Sequence, residues 1–353
     1  MINFSSNDYL GLATHPRVAA AAAQAIRDWG IGAGASRLIV GNMTPHEQLE
    51  AALAAWHGGP AARLFNSGYH ANVGTLSALL GPQDVIFSDA LNHASIVDGC
   101  RLSRATVEIY PHLDYDAARH RMRTARNFRR RMLVSDAVFS MDGDVADITQ
   151  LYEITKENDV WLMVDEAHAA GVIGPAGRGL CAAAAVTPAV HMGTLSKAVG
   201  VFGGYIVAET GIADWLMNKA RSFVFTTALP PMVVAAAEAA VSILAGREGD
   251  QLRGQLAGLI AASREGVRDL GLLAPGAGTT QIFPLVIGES RATMGAAEAL
   301  LQLGIYAQGV RPPTVPRGTS RLRFALSAAH SLEDVGRALE ALKTCRDAGL
   351  LRG

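Results

Sequence analysis

Five short apolar runs recur through the first two-thirds of this chain, at residues 85–87, 132–134, 161–164, 190–192 and 204–208, separated by stretches with helical spacing. The runs are continuous rather than alternating. A strand with one wet face alternates polar and apolar side chains, whereas a strand covered on both faces does not. Such strands interleaved with helices predict an α/β fold with a mostly parallel sheet. The texture then changes. After Pro230-Pro231 a long Ala-rich helical region leads to strands over 282–287 and 321–327 and a closing helix over 331–348, the pattern of a smaller α+β unit. The expected organisation is a segment over 1–30 that contributes to the small domain and active site, a large domain over 31–245, and a small C-terminal domain over 246–353.

Helix punctuation supports this reading. Residues 16–29 read as a helix with Pro16 in its first turn. Thr44-Pro45-His46-Glu47 reads as a capping box opening a helix that runs to about His57. Ser67-Gly68-Tyr69-His70 opens another, closed by Gly81-Pro82.

Bulk properties exclude several functions. A net charge of −1 gives no general attraction to nucleic acid or acidic membranes. Residues 119–131 carry seven arginines but one aromatic, Phe128, and read as a solvated helix face and loop. Cys100, Cys181 and Cys345 are scattered, neither a disulfide framework nor a zinc pattern, so a reducing compartment and no metal are expected. The first residues lack the basic and apolar regions of a signal peptide. No uncharged apolar run reaches the roughly 18 residues of a spanning helix. The expectation is a cytoplasmic protein without membrane or nucleic-acid partners.

The chemistry gathers around three residues. Val160-Trp161-Leu162-Met163-Val164-Asp165-Glu166-Ala167-His168 is an apolar run ending in a carboxylate, and Lys197 follows in Gly193-Thr194-Leu195-Ser196-Lys197. Pyridoxal 5'-phosphate needs an amine for its aldehyde and an acidic partner for its ring nitrogen. Ligands of open α/β sheets gather at the carboxyl ends of strands, where Asp165 is predicted to lie. Asp165 also suits a helix cap, and Lys197 a solvated loop. His168 can donate to the cofactor's phenolic oxygen. His93, in Asn92-His93-Ala94-Ser95, can stack on a flat ring or lie beside a capping Asn92. Ser67-Gly68-Tyr69 before a helix suits a phosphate, with hydroxyls from Thr194, Ser196, Thr226 or Thr227. Arg311, stiffened by the following prolines, and Arg323 suit a substrate carboxylate, although Arg323 also fits a strand position facing solvent.

Ser6-Asn7-Asp8-Tyr9-Leu10-Gly11-Leu12, Ser67-Gly68-Tyr69, Asn92-His93-Ala94-Ser95, Phe139-Ser140-Met141-Asp142-Gly143-Asp144, Val164-Asp165-Glu166-Ala167-His168 and Thr194-Leu195-Ser196-Lys197 occur in one order. This order resembles the α-oxoamine synthases, from about residue 3 to 348. The resemblance implies a fold-type I pyridoxal phosphate-dependent transferase, with a mostly parallel large domain and a smaller C-terminal α+β domain. It implies condensation of an amino acid with an acyl thioester and release of carbon dioxide. Lys197 would carry the cofactor, Asp165 pair with its ring nitrogen, His168 with its phenolic oxygen, and His93 stack on it. Gly68, Tyr69, Ser140 and Thr194 would contact it, with Thr226 or Thr227 serving the neighbour's cofactor in a homodimer with shared sites. Asn7, Arg323 and Arg311 would handle the substrate carboxylate, and Thr314 would line the substrate site.

Arg311-Pro312-Pro313-Thr314-Val315-Pro316 resembles the branch that joins L-alanine to a pimeloyl thioester, carried by coenzyme A or an acyl carrier protein, in biotin synthesis. Ser88 to Gly99 is closer to the branch that acetylates glycine. Two departures stand out. The chain begins almost at the Asn7-Asp8-Tyr9 motif, without the segment that supplies an Arg near the acyl group. Ser135-Asp136-Ala137 replaces a more usual Thr-Glu-Gly or Asp-Gly.

Overall fold

A computed structural model describes residues 1–273 and 278–351. Its strands are β1 (Ile2–Asn3), β2 (Ala61–Phe65), β3 (Val85–Asp89), β4 (Thr106–Tyr110), β5 (Arg131–Asp136) and β6 (Trp161–Asp165). There follow β7 (Val190–Thr194), β8 (Gly204–Ala208), β9 (Ile282–Gly288), β10 (Ile305–Tyr306), β11 (Gln308–Val310) and β12 (Ser320–Ala325). The helices begin with α1 (Pro16–Trp29), α2 (Thr44–His57), α3 (Gly68–Leu79), α4 (Ala94–Ser103), α5 (Tyr115–Thr124) and α6 (Ile148–Glu157). Next come α7 (Leu180–Ala183), α8 (Thr210–Lys219), α9 (Arg221–Val224), α10 (Pro231–Ala245), α11 (Arg247–Asp269), α12 (Ser290–Gln302) and α13 (Leu332–Asp347).

The chain divides into two units. The larger holds Leu12–Phe139 and Ala146–Asp250; the smaller holds Met1–Gly11, Ser140–Val145 and Gln251–Gly353. The expected boundary near residue 30 therefore falls at Gly11/Leu12. The reason is that α1 packs on α10 and so belongs to the large unit. The loop Ser140–Val145 joins the small unit, where Thr280 Oγ1 donates to Gly143 O at 2.9 Å.

The large unit is built on a seven-stranded sheet ordered β2-β8-β7-β6-β5-β3-β4. Only β8 runs against its neighbours, β2 and β7. Every residue of β3, β7 and β8 is buried, as continuous apolar runs require when helices cover both faces. Ile86, Val134, Met163, Met192 and Ile206 from successive strands join Phe65, Leu76 and Phe223 in one core. This frame puts the carboxyl ends of β3, β5, β6 and β7 on one edge, bearing Asp89, Asp136, Asp165 and Thr194. The small unit has an antiparallel sheet ordered β11-β12-β9 and a parallel pair, β1 with β10.

Two local expectations change. Helix α2 is capped by Met43, not Thr44, and no Thr44–Glu47 box forms; the Met43 backbone N–H donates to His46 Nδ1 at 3.3 Å, and Glu47 accepts from Asn42 instead. The Ala-rich region is two helices, α10 and α11, parted at Gly246. The arginine-rich segment is largely paired with its own surroundings: Arg129 binds Asp84, Arg121 binds Glu108, Arg119 binds Asp116, and Arg130 lies over the Trp161 ring.

Candidate active site

The strand ends of the large unit carry a connected polar cluster. Asp165 and Asp136 are partners in register at the ends of β6 and β5, and both are buried. Asp165 Oδ2 accepts from Asn72 Nδ2 at 2.7 Å, and its Oδ1 accepts from the Ala167 N–H at 2.9 Å. The same Asn72 amide donates to Ser95 Oγ at 2.9 Å. Asp136 Oδ2 accepts the His93 N–H at 2.7 Å. Burial, and then the negative charge of Asp165, push the Asp136 carboxyl well above the usual carboxylate range. Asn92 bolts the frame together, donating to Ser88 Oγ and Val134 O while accepting from the Asp136 N–H.

His93 caps α4, its Nδ1 accepting from the Ser95 N–H at 3.2 Å. His93 is exposed. Partial burial nevertheless lowers its pKa; the Asp165 carboxylate opposes that and the Lys197 ammonium adds to it. His93 thus feels both charges. His168 is buried three residues beyond Asp165. Lys197 is half-buried in a tight loop after β7. Thr194 Oγ1 and Ser196 Oγ both donate to Gly203 O, and the Gly200 N–H donates to Lys197 O at 2.8 Å.

Ser67 caps α3, its Oγ accepting from the His70 N–H at 3.2 Å, which leaves Gly68 and Tyr69 in the first turn. A Cβ on Gly68 would meet Met192 Cε at 2.8 Å, so the turn lies tight against β7. Asn66 fixes the adjoining segment by donating to Thr226 Oγ1 at 3.0 Å and Thr227 O at 2.8 Å. Tyr69 is exposed and its hydroxyl donates to Asp98 Oδ2 at 2.7 Å.

The small unit gathers the substrate candidates. Arg323 on β12 is buried, not solvent-facing; its Nε donates to Ser140 O at 2.6 Å and its Nη2 to Asn7 Oδ1 at 3.3 Å. Tyr9 Oη also donates to Asn7 Oδ1, at 3.1 Å, and burial pushes that phenol up to about 12 against the pull of Arg323. A cavity of about 630 Å³ is lined by Arg311, Thr314, Arg323, Met141, Tyr306 and neighbouring residues.

Residues 1–342 match the family model for aminotransferase class I and II. The chain belongs to this family. It is 50% identical over 336 residues to the 8-amino-7-oxononanoate synthase of Geobacter metallireducens, covering 95% of this chain and 86% of that protein. It is 45% identical to the same enzyme of Herminiimonas arsenicoxydans, with 98% and 90% covered. Its fold superposes on the serine palmitoyltransferase of S. paucimobilis with bound PLP-myriocin aldimine, with a TM-score of 0.95, 29% identity, and 99% and 88% of the chains covered. The fold is that of the fold-type I transferases, and the resemblance to α-oxoamine synthases holds through these relatives.

Among the candidates of this family member, His93, Asp165 and Lys197 share one electrostatic neighbourhood. Arg311, Thr314 and Arg323 share one cavity, with Asn7 bonded to Arg323. Thr226 and Thr227 sit beside the Ser67-Gly68 turn through Asn66, while the Tyr69 hydroxyl is engaged by Asp98. Sequence reasoning missed Asn72 and the bolting role of Asn92. A polar side chain on a buried helix face was the available signal for Asn72.

Proposed function

We infer that this protein is an 8-amino-7-oxononanoate synthase dependent on pyridoxal 5'-phosphate. It joins L-alanine to a pimeloyl thioester in biotin synthesis and releases carbon dioxide and the free thiol carrier, coenzyme A or an acyl carrier protein. The observation that carries this reading is the near full-length 50% identity to an enzyme of that name. The residues fit the cofactor: a buried carboxylate, an exposed imidazole beside it, an amine, and a helix N-terminus whose Gly68 admits no side chain.

When bound, the cofactor supplies an electron-withdrawing ring that draws charge from alanine Cα. Asp165 would keep the ring nitrogen protonated, and Asn72 and Ala167 hold Asp165. His93 would stack on the ring, and His168 would donate to the phenolic oxygen. Ser67, Gly68, Tyr69, Ser140, Thr194, Thr226 and Thr227 would serve the cofactor and its phosphate, the last two in a neighbouring subunit. Lys197 Nζ would hold the cofactor by its aldehyde and is the amine that would take the α-proton of alanine. Arg323, Arg311 and Asn7 would receive the substrate carboxylate, and Thr314 would line the substrate site.

A homodimer completes this reading. Ile31 (69%), Ile39 (74%), Val40 (67%) and Phe225 (70%) are large apolar residues left exposed, and the Ala228 N–H joins the last segment to the first through Ala35 O at 3.0 Å. A second copy of the chain would cover them.

The test is to titrate the cofactor-loaded protein with L-alanine and with glycine, then add pimeloyl-CoA and analyse products by mass spectrometry. The expected result is an absorption change favouring L-alanine, and 8-amino-7-oxononanoate as product. A preference for glycine with acetyl-CoA would move the protein to the glycine acetyltransferase branch.

A further inference from the structure

Behind the strand ends, the large unit holds a second buried cluster that the reaction above does not use. Glu166 follows β6, His191 lies on β7, and Cys181 lies on α7. All three are buried, and one donor atom from each lies within 4.8 Å of the others. Glu166 Oε1 accepts the Cys181 N–H at 2.6 Å, which leaves Oε2 turned toward His191. Glu166 Oε2 and His191 Nε2 stand 3.5 Å apart, and neither has a hydrogen-bond partner among the described residues. Two facing orphans in a protein interior are costly, since each loses its water without replacement.

We propose that Glu166, Cys181 and His191 bind one zinc ion in a tetrahedral site completed by water. The donor set is borderline-soft, sulfur, nitrogen and oxygen, which suits zinc over magnesium or calcium. Zinc–nitrogen and zinc–oxygen bonds of about 2.0–2.2 Å at tetrahedral angles give a donor separation of roughly 3.4 Å. The observed 3.5 Å matches that edge. Charge also balances: Zn²⁺ with a carboxylate, a thiolate and a neutral imidazole sums to zero, which a buried site requires. Binding releases the Cys181 thiol proton and whatever proton Glu166 holds. Backbone shape keeps the carboxylate in place. Gly179 has φ +94, and a Cβ there would fall 1.5 Å from Glu166 Oε2. A cavity of about 340 Å³, lined by His57, Arg178, Cys181 and His191, supplies the entry path and room for the water. His57 packs its ring 4.1 Å from that of His191 and shares a hydrogen bond with Tyr205 Oη at 2.8 Å. The metal would tie β6, β7 and α7 together one residue from Asp165.

The test uses cobalt as a spectroscopic substitute in the cofactor-loaded enzyme. One equivalent of Co²⁺ per chain should give the strong visible bands of a tetrahedral site, at longer wavelength than the cofactor absorbs, and Zn²⁺ should abolish them. Cys181→Ser and His191→Gln should each weaken binding at least tenfold. Absence of tetrahedral bands, or binding that persists unchanged in both variants, would overturn the site. Should the variants fold poorly, X-ray absorption of the zinc-loaded wild type decides. One sulfur at about 2.3 Å with nitrogen and oxygen at about 2.0–2.2 Å supports the site; an all-oxygen shell refutes it.

Discussion

Asn72 shows how much one side chain can control in this site. Its amide bridges Asp165 and Ser95 from the buried face of α3. A hydrogen bond to a buried carboxylate contributes about 1.5–3 kcal/mol, so Asn72→Leu is expected to lower kcat by roughly 10–100-fold. KM for L-alanine should change little, because Asn72 acts through Asp165. Steady-state kinetics with both parameters resolved check this, and a loss confined to KM would contradict it. Lys197→Ala should abolish turnover; substantial activity in that variant would sink the assignment of the amine. The placement of Asp165 at a strand end and Lys197 in a small-residue loop was legible in the sequence, because an apolar run and a cluster of small residues are local patterns. Asn72 was not, because which face of α3 meets β6 depends on packing between distant segments.

At the level of elements, the buried strands were legible and the edges were not. Expected strands at 85–87, 132–134, 161–164, 190–192 and 204–208 all lie within β3, β5, β6, β7 and β8. Strands β2 and β4 close the two edges of the sheet. There the strands are less covered than those between them, and Arg63 and Glu108 interrupt the apolar run. In the small unit, the N-terminal segment is pinned by His330. Its Nδ1 accepts from the Ser327 N–H at 3.1 Å, so the ring proton sits on Nε2, which donates to Asn3 O at 3.0 Å. Phe4 stacks on the ring at 4.4 Å. Burial, first among its influences, lowers the His330 pKa from 6.5. Protonation would place a second donor against the Ser327 N–H. The stability from this contact is therefore complete above pH 6.5 and lost as pH falls through the lowered folded value. His330→Leu is expected to cost about 1–3 kcal/mol near neutral pH and to flatten the acid limb of the stability curve. Urea unfolding across that range checks it; an acid limb as steep as wild type would count against the role of His330.

For the whole molecule, the exposed apolar residues on the loop between α1 and α2 predict association. Sedimentation should give twice the 37.0 kDa of one chain, and Ile39→Asp should shift the protein toward monomer. A monomer at micromolar concentration would argue against the dimer. The order of motifs, the alternation of strand and helix, and the residue types at the strand ends were determined by the sequence alone, because periodicity, caps and catalytic side chains are local. The tertiary structure decided the rest. It assigned Met1–Gly11 and Ser140–Val145 to the small unit, set Asp136 beside Asp165, and turned Arg323 inward beside Arg311. It also brought Glu166, Cys181 and His191 together from positions up to 25 residues apart in the chain. Each of these depends on strand register and side-chain direction between segments far apart in the chain, which no local pattern encodes.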